Sequence, residues 1–567
     1  MTQRPDALTV ALTGQLFFVL VAAAILALIV SLLILRRYRR AVIRSMQRRG
    51  SNEIREPTGF LPPDEPHPPP ESALSYDFIS ASARLTIGAQ ENLLYHQANR
   101  RNQLTAAVYA VAGLCFAATM TAAFLRSSGM EFLPLRFLFI TWANSWPVVL
   151  TVGIVSIVTR KTRWILLLCY FSIGTALSIP LLARSPDLTI GQLAYLWFDP
   201  NAIPSLLLLL FLNRRIRAVG PLVMVLMLIG VAGASLFVSV AGANLKLLRA
   251  ISDFAFSIGL GPAATLWSMH LLGFALFSIA GWLILGSLRQ LYQRKQVSER
   301  AIRVDAIWLL FGIVNSMGLV FQGPAWIFSG LVAFGIFKLV SVGGFRMLRK
   351  FSRDQAAGPR LLLLRVFALG SRSAVLYDSL GKYWRNVGSI QMIAGPDLAT
   401  TAIEPHEFLE FLSGKLSRRF VDSGTTLDLR MTQMDLAADG DGQFRVTEFF
   451  CHDDTWKLTL ARLADESDAV LMDLRGFSQN NAGCVFEINE LFHLVSLVRV
   501  VFVIDAGTDQ TFLRQTMQQA WRQLKERSPN RRPGGGKVSL VQMADRNRSP
   551  MSDLLRALCA AATVKPA

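Results

Sequence analysis

The chain has 567 residues, 52% of them hydrophobic, and a mean hydropathy of +0.39. That is too apolar for a soluble protein of this size and predicts a polytopic membrane protein. The formal charge of +19 points to cytoplasmic loops facing anionic lipid; nucleic acid is the rival partner, but no recognised nucleic-acid-binding motif accompanies the charge.

The first apolar run, Thr9 to Leu35, is long enough to cross a bilayer with tilt and reads as an uncleaved anchor, residues 1–35. Seven arginines between Arg36 and Arg49 follow it, which puts this flank in the cytoplasm and the N-terminus outside. Residues 36–103 read as an inner loop. It begins with a basic helix candidate, continues through the proline-rich spacer Leu61 to Pro70, and regains a helical pattern from Ser72 to Asn102. Within 104–345, eight further spans are expected near 104–125, 137–158, 164–183, 191–212, 220–240, 262–287, 304–321 and 325–345. Through Arg353 the inner segments hold 26 lysines and arginines and the outer ones six. Nine spans thus leave the C-terminus in the cytoplasm.

Polar residues interrupt this pattern. Asp199, before Pro200, has two readings. Either it is the key group of an intramembrane ion or substrate element, or 191–198 lies in the outer interface and a short helix crosses from Asn201. Asn144, Ser145, Pro147, Asn315 and Ser316 read as polar contacts between helices. Lys338 is expected to snorkel to the inner face. Leu247, Ile251, Phe254 and Ile258 recur at helical spacing opposite Lys246, Arg249 and Asp253, as in a helix lying on the outer interface.

After a linker at 346–360, residues 361–567 alternate strand and helix patterns. Strands are expected at 361–369, 389–394, 426–431, 445–450, 469–474, 498–504 and 538–543. Helices are expected at 374–386, 405–421, 455–465, 484–495, 510–527 and 552–562. The alternation predicts an α/β, doubly wound, mostly parallel sheet. Ala438 to Phe449 has ligand-type positions of a calcium loop, but Ala437 stands where the first ligand belongs, so a glycine turn is expected. Pro533 to Ser539 resembles a phosphate loop only superficially and reads as a basic loop near anionic lipid. The five cysteines and six histidines show no metal-ligand spacing; free thiols and no metal are expected.

Ser467 to Leu491 concentrates the chemistry. A strand ends near Asp473, a polar loop follows, and Glu487 enters a helix among Val485, Phe486, Ile488 and Leu491. Ligand sites in open α/β sheets lie beyond the carboxyl ends of strands, so Glu487 is either a working carboxylate facing a pocket or an ordinary solvated or capping glutamate. The 476–483 loop could close over a ligand, and Val485, Phe486 and Ile488 could wall it.

Cys484-Val485-Phe486-Glu487 resembles the segment of TIR domains in which a cysteine precedes a helical glutamate by three. Asn480 to Ile488 is similar to the segment of nucleoside 2-deoxyribosyltransferases in which a glutamate follows a glycine by four, here Gly483 and Glu487. Leu364-Arg365-Val366-Phe367, with the helix to Asn386, resembles the opening of a TIR-like domain, and His452 to Leu474 is similar to bacterial multispanning proteins with such a tail. The resemblance covers roughly residues 361–527. It implies a TIR-like, flavodoxin-like domain at 361–567 on the cytoplasmic side of a bacterial inner membrane. It implies that Glu487 acts on a ribosyl or nicotinamide-ribosyl bond with Asp473 as a supporting acid. Binding roles fall on Arg365, Phe367, Asn481, Gly483 and Cys484, the ligand being NAD or another nucleotide, with self-association through the domain. The leading expectation is a membrane-anchored sensor or signalling protein whose tail binds a nucleotide or a protein partner. The alternatives are an NAD-glycohydrolase or ribosyl-transfer enzyme, and a transporter regulated by its tail with Asp199 in the path.

Overall fold

The computed structural model describes residues 7–46, 73–79, 89–156, 160–185, 187–211, 220–319, 322, 324–351, 358–365, 371–394, 411, 420–434, 436–452, 454–532, 535–543 and 549–564. The chain divides into two compact units. One comprises Met1–Tyr38, Ala106–Arg346 and Ile403–Leu412, the other Arg39–Thr105, Met347–Ala402 and Ser413–Ala567.

The first unit is helical. Its helices are α1 (Ala7–Met46), α2 (Ala89–Ser127), α3 (Pro134–Asn144), α4 (Trp146–Val155), α5 (Arg160–Arg184), α6 (Ile190–Phe211), α7 (Gly220–Ala243), α8 (Leu245–Ser257), α9 (Pro262–Gln293), α10 (Glu299–Leu319) and α11 (Ser329–Phe351). The end of α1 and the start of α2 belong to the second unit. Among the described residues six helices are long and apolar enough to cross a membrane: α1, α2, α3 with α4, α5, α9 and α11. The runs expected at 191–212, 220–240 and 304–321 are also helical, as α6, α7 and α10, but fall outside that set.

Local chemistry explains the irregularities. Pro147 has no N–H to give the carbonyl of Ala143, and the helix breaks at Ser145 between α3 and α4. The Ala143 oxygen is instead satisfied from α6, where Asn201 Nδ2 donates to it at 2.9 Å. Around this kink Tyr170 Oη donates to the Trp142 carbonyl at 2.9 Å, Trp142 Nε1 to the Tyr170 carbonyl at 2.8 Å, and Trp146 Nε1 to Ser205 Oγ at 3.0 Å. Gly312 of α10 meets Gly330 of α11 backbone to backbone; a Cβ on Gly312 would lie 2.9 Å from the Gly330 oxygen. The ammonium of Lys338 pairs with Asp305, in the second turn of α10, at 2.7 Å. α8 is the expected amphipathic helix, capped by the Asn244 side chain and exposing Leu247, Phe254 and Ile258.

The second unit is an eight-stranded, all-parallel sheet. The strands are β1 (Ser75–Ile79), β2 (Arg360–Arg365), β3 (Ser389–Ala394), β4 (Phe420–Val421), β5 (Val446–Cys451), β6 (Ala469–Asp473), β7 (Val500–Ile504) and β8 (Lys537–Gln542), in spatial order β1-β8-β7-β6-β2-β3-β5-β4. β2, β6 and β7 are buried almost throughout, as strands covered on both faces must be. α12 (Ser371–Trp384) and a terminal helix, Ser549–Thr563, cover one face through Leu376, Leu380, Trp384, Leu554 and Leu558. The other face carries α13 (Gly424–Thr432), α14 (Trp456–Glu466), α15 (Ala482–Leu494) and α16 (Gln510–Arg522), whose contributions include Leu427, Leu460, Ile488 and Met517. The terminal helix is α17.

Four expectations are corrected. Residues 426–431 form α13, not a strand: Ser423 caps the helix by accepting from Thr426 N–H at 3.3 Å, and Leu427 and Met431 share its buried face. The helix expected over 405–421 gives way at its end to β4; Phe411 is helical, and the other positions of 405–419 lie outside the described residues. The helical pattern read from Ser72 is a strand at 75–79, and helix is described only from Ala89. The α/β unit is therefore not confined to 361–567, since β1 pairs with β8 and its Asp77 meets Lys537 at 3.0 Å. Counting from β2 and setting aside the two-residue β4, the order is 3-2-1-4-5-6. Setting β5 aside as well leaves 2-1-3-4-5 over β3-β2-β6-β7-β8, so the sheet is doubly wound with β2 and β6 at its reversal in either count.

Candidate ligand site at the switch point of the sheet

In this order the chain leaves β2 toward β3 on one side and later returns to build β6, β7 and β8 on the other. The crevice between β2 and β6 is the topological switch point, where doubly wound sheets bind ligands beyond the carboxyl ends of their strands. Arg365 ends β2 and Asp473 ends β6, and the two are register partners.

Asp473 is fully buried and holds Arg475 in a two-pronged pair, Nε to Oδ1 at 2.8 Å and Nη2 to Oδ2 at 2.7 Å. Gly476 then turns the chain with φ of +67°, a conformation that favours glycine, while its N–H donates to Asp505 Oδ1 at 3.0 Å. Asp505 follows β7 and also accepts from Gly507 N–H at 3.0 Å and Thr508 Oγ1 at 3.1 Å. Phe477 is fully buried and stacks on Phe512. Asn481 Oδ1 accepts from Ser478 N–H at 2.9 Å. These bonds anchor the loop expected to act as a closing flap, and Asn481 serves to shape it.

α15 turns Cys484, Glu487, Ile488 and Leu491 inward at helical spacing. Cys484 Sγ donates to the Arg365 carbonyl at 3.7 Å, tying the helix to the end of β2. Nothing lies within 4 Å of a Cβ built on Gly483, so no close approach demands glycine there. Ile488 belongs to the core, and Phe486 packs edge-on against Trp456 of α14, away from the expected ligand wall.

Glu487 is 2% exposed, neither solvated nor a cap. Its Oε2 has no hydrogen-bond partner among the described residues. Burial pushes its carboxyl up to about 8, against the opposing pull of Arg365, so the acid is mostly neutral at pH 7. From the other face of the sheet α12 brings Tyr377, whose ring lies 6.0 Å from the Arg365 guanidinium carbon. Its hydroxyl also lacks a hydrogen-bond partner among the described residues. Burial first, then Asp473, drives the phenol well above its ordinary range, while Glu487 adds to and the two arginines oppose the shift.

No family model, curated protein or solved structure matches this chain. The site is therefore argued from its own geometry.

Of the residues singled out in the sequence, Arg365, Asp473, Cys484 and Glu487 come together; Asn481 and Gly483 are in the adjoining loop and first helical turn. Phe367 lies outside the described residues. Tyr377, Arg475 and Asp505 were missed. The signal for the last two was available: the apolar runs of β6 and β7 both end in an acid, and Arg475 follows two positions after Asp473. Asp199 is exposed on α6, and its Oδ1 accepts from Tyr195 Oη at 3.3 Å. The buried polar residue of that helix is Asn201, 1% exposed.

Proposed function

We propose that the protein is a nine-span membrane protein whose cytoplasmic doubly wound domain binds a nucleotide-class ligand at the β2–β6 crevice in the service of membrane-linked signalling. The observation that carries this is the convergence of Arg365, Tyr377, Asp473, Arg475 and Glu487 at the switch point of an all-parallel sheet. Buried charges and unpartnered polar atoms there are costly unless they serve a ligand. Sheet topology supports the span count. β1 precedes the helices at 89–351 and β8 follows them, yet the two strands pair in parallel. The chain between them must cross an even number of times. Five of the six strongly apolar helices lie in that interval; if all five cross, at least one of α6, α7 and α10 crosses with them. Eight crossings use all three, and with α1 they make nine.

Calorimetric titration of NAD and ATP into the full-length protein in nanodiscs tests the binding. Arg365→Ala should weaken the ligand about tenfold or more, roughly 1.4 kcal/mol, and the milder Tyr377→Phe should weaken it less. Unchanged affinity in both folded variants would remove the site.

A second reading, turnover of an N-glycosidic bond, is favoured by the neutral state of Glu487. A carboxylic acid kept protonated suits proton donation to a leaving group better than attack on the sugar. Glu487→Gln should then lower turnover about a hundredfold or more. Equal turnover in wild type and variant would leave binding alone.

A further inference from the structure

We infer that His452 is a proton-dependent latch that fastens the last turns of α1 to the rim of the sheet, closed when its ring carries two protons and opened when one is lost. The latch lies apart from the β2–β6 crevice and uses none of its residues.

Strand register builds the site. β4 and β5 run parallel, with Phe420 opposite Phe450 and Val421 opposite Cys451. The next residues of the two strands are Asp422 and His452, so they leave the carboxyl end of the sheet side by side. Backbone bonds fix the histidine there. Its N–H donates to Thr455 Oγ1 at 2.9 Å, and its carbonyl accepts from Thr455 N–H at 3.2 Å. His452 is 7% exposed, and its ring lies 5.1 Å from that of Phe420.

α1 supplies the third part. It is one continuous helix from Ala7 to Met46, among those apolar enough to cross a membrane. From Arg39 onward it belongs to the same compact unit as the sheet. Val42 and Met46 are buried at helical spacing. Ser45, in the same turn, presents its carbonyl oxygen to His452 Nδ1 at 2.8 Å. On the other side of the ring, Nε2 meets Asp422 Oδ1 at 2.6 Å.

The chemistry of the ring decides what this arrangement can do. A backbone carbonyl and a carboxylate both only accept. A neutral imidazole has one N–H and satisfies one of them. An imidazolium has two and satisfies both, the bond to Asp422 being charge-assisted at each end. Holding Ser45 and Asp422 together therefore requires both protons. When one leaves, the carboxylate, as the stronger acceptor, keeps the remaining N–H. The bare Nδ1 then faces the Ser45 oxygen lone pair to lone pair, and the tie to α1 is the one released. The ionisable neighbours on the three elements that meet at the ring are Asp422 after β4, Cys451 and Asp454 on either side of His452, and Arg44 on α1; Asp453 lies outside the described residues. Arg44 turns back along its own helix, where its Nε donates to the Arg40 carbonyl at 3.2 Å. Asp422 is the ion-pair partner of the ring, with its side chain half-exposed.

Amide hydrogen exchange in the full-length protein in nanodiscs tests the latch, measured between pH about 5.5 and about 8.5, a window that brackets the ordinary range of a histidine. Rates are corrected for intrinsic exchange at each pH. In wild type, exchange within 39–46 should be slow at the acid end and about fivefold faster at the alkaline end, the effect of one net hydrogen bond. The 510–522 stretch of α16 should show no such change. His452→Phe keeps a ring against Phe420 but has no N–H, so 39–46 should exchange at the fast rate at every pH. Asp422→Asn alters a half-exposed side chain and removes the charge that favours the second proton, so the change should move to lower pH. Wild-type exchange within 39–46 that is level across the whole range overturns the latch. A pH-dependent change that persists unaltered in both variants belongs to another group and overturns the role of His452.

Discussion

Glu487 should be visible in stability as well as in turnover. Its carboxyl is raised by burial from an ordinary 4.5 to about 8, so the folded state holds a proton that the unfolded state gives up. Its contribution is complete below pH about 4.5 and is lost as pH rises toward about 8, up to the order of 5 kcal/mol. His493 acts in the opposite sense: burial and Lys525 lower it to about 4, so stability is lost as pH falls from about 6.5 toward 4. Denaturant unfolding followed against pH should thus be nearly level between about 4.5 and 6.5 and decline from there to 8. Glu487→Gln should abolish the decline; a variant that still declines in parallel with wild type would mean that the acid is not the group responsible. In the first unit, Asn201→Leu should cost about 1–3 kcal/mol by orphaning the Ala143 carbonyl, read as a lower thermal transition, whereas Asp199→Asn should cost little. Glu487 was legible because it interrupts the apolar face of a helix after a strand. Tyr377 was not, because it lies 110 residues earlier in the chain and its place follows only from which strands adjoin. Asp199, not Asn201, drew the eye in that helix for a related reason. An almost wholly apolar helix gives no periodicity from which to tell an exposed position from a buried one, and Asn201, two residues on, faces inward instead.

Among the elements, β1 alters the account most. Asp77 and Ser539 are register partners in adjacent parallel strands. The pair Asp77→Cys with Ser539→Cys should form a disulfide on mild oxidation of the intact protein, seen as a mobility shift that reductant reverses. Failure to cross-link would contradict the pairing. The fragment 355–567 expressed alone lacks β1 and exposes the β8 edge, so it should aggregate more readily than the same fragment supplied with the 73–79 segment. Elements β3, β5, β6, β7 and β8 were legible from short apolar runs bounded by turns. β1 is a five-residue edge strand with only Ile79 buried, and its hydrogen-bonding partner stands more than 450 positions away, so no local pattern could reveal it. α13 was misread because Thr425 and Thr426 favour strands, while the cap at Ser423 and the spacing of Leu427 and Met431 decide for helix.

At the scale of the whole molecule, the apolar composition and the strand–helix alternation disclosed a region of helices long and apolar enough to cross a membrane and an α/β domain. The strand order stayed hidden because it depends on which connections cross the sheet, a matter of long-range packing. The pairing of β1 with β8 predicts that reporters placed in 47–72 and in 352–357 lie on the same side of the membrane, and the proposed crossing by α1 predicts that one at residue 2 lies on the other. Reporters at the first two positions on opposite sides would contradict the sheet itself. The central claim is that a ligand sits at the carboxyl ends of β2 and β6, and photo-cross-linking reads it most directly. A photoreactive NAD analogue irradiated with the full-length protein in nanodiscs should label peptides within 371–384 or 475–490, and excess unmodified NAD should suppress the labelling. Labelling confined to other parts of the chain, or indifferent to competing NAD, would contradict it.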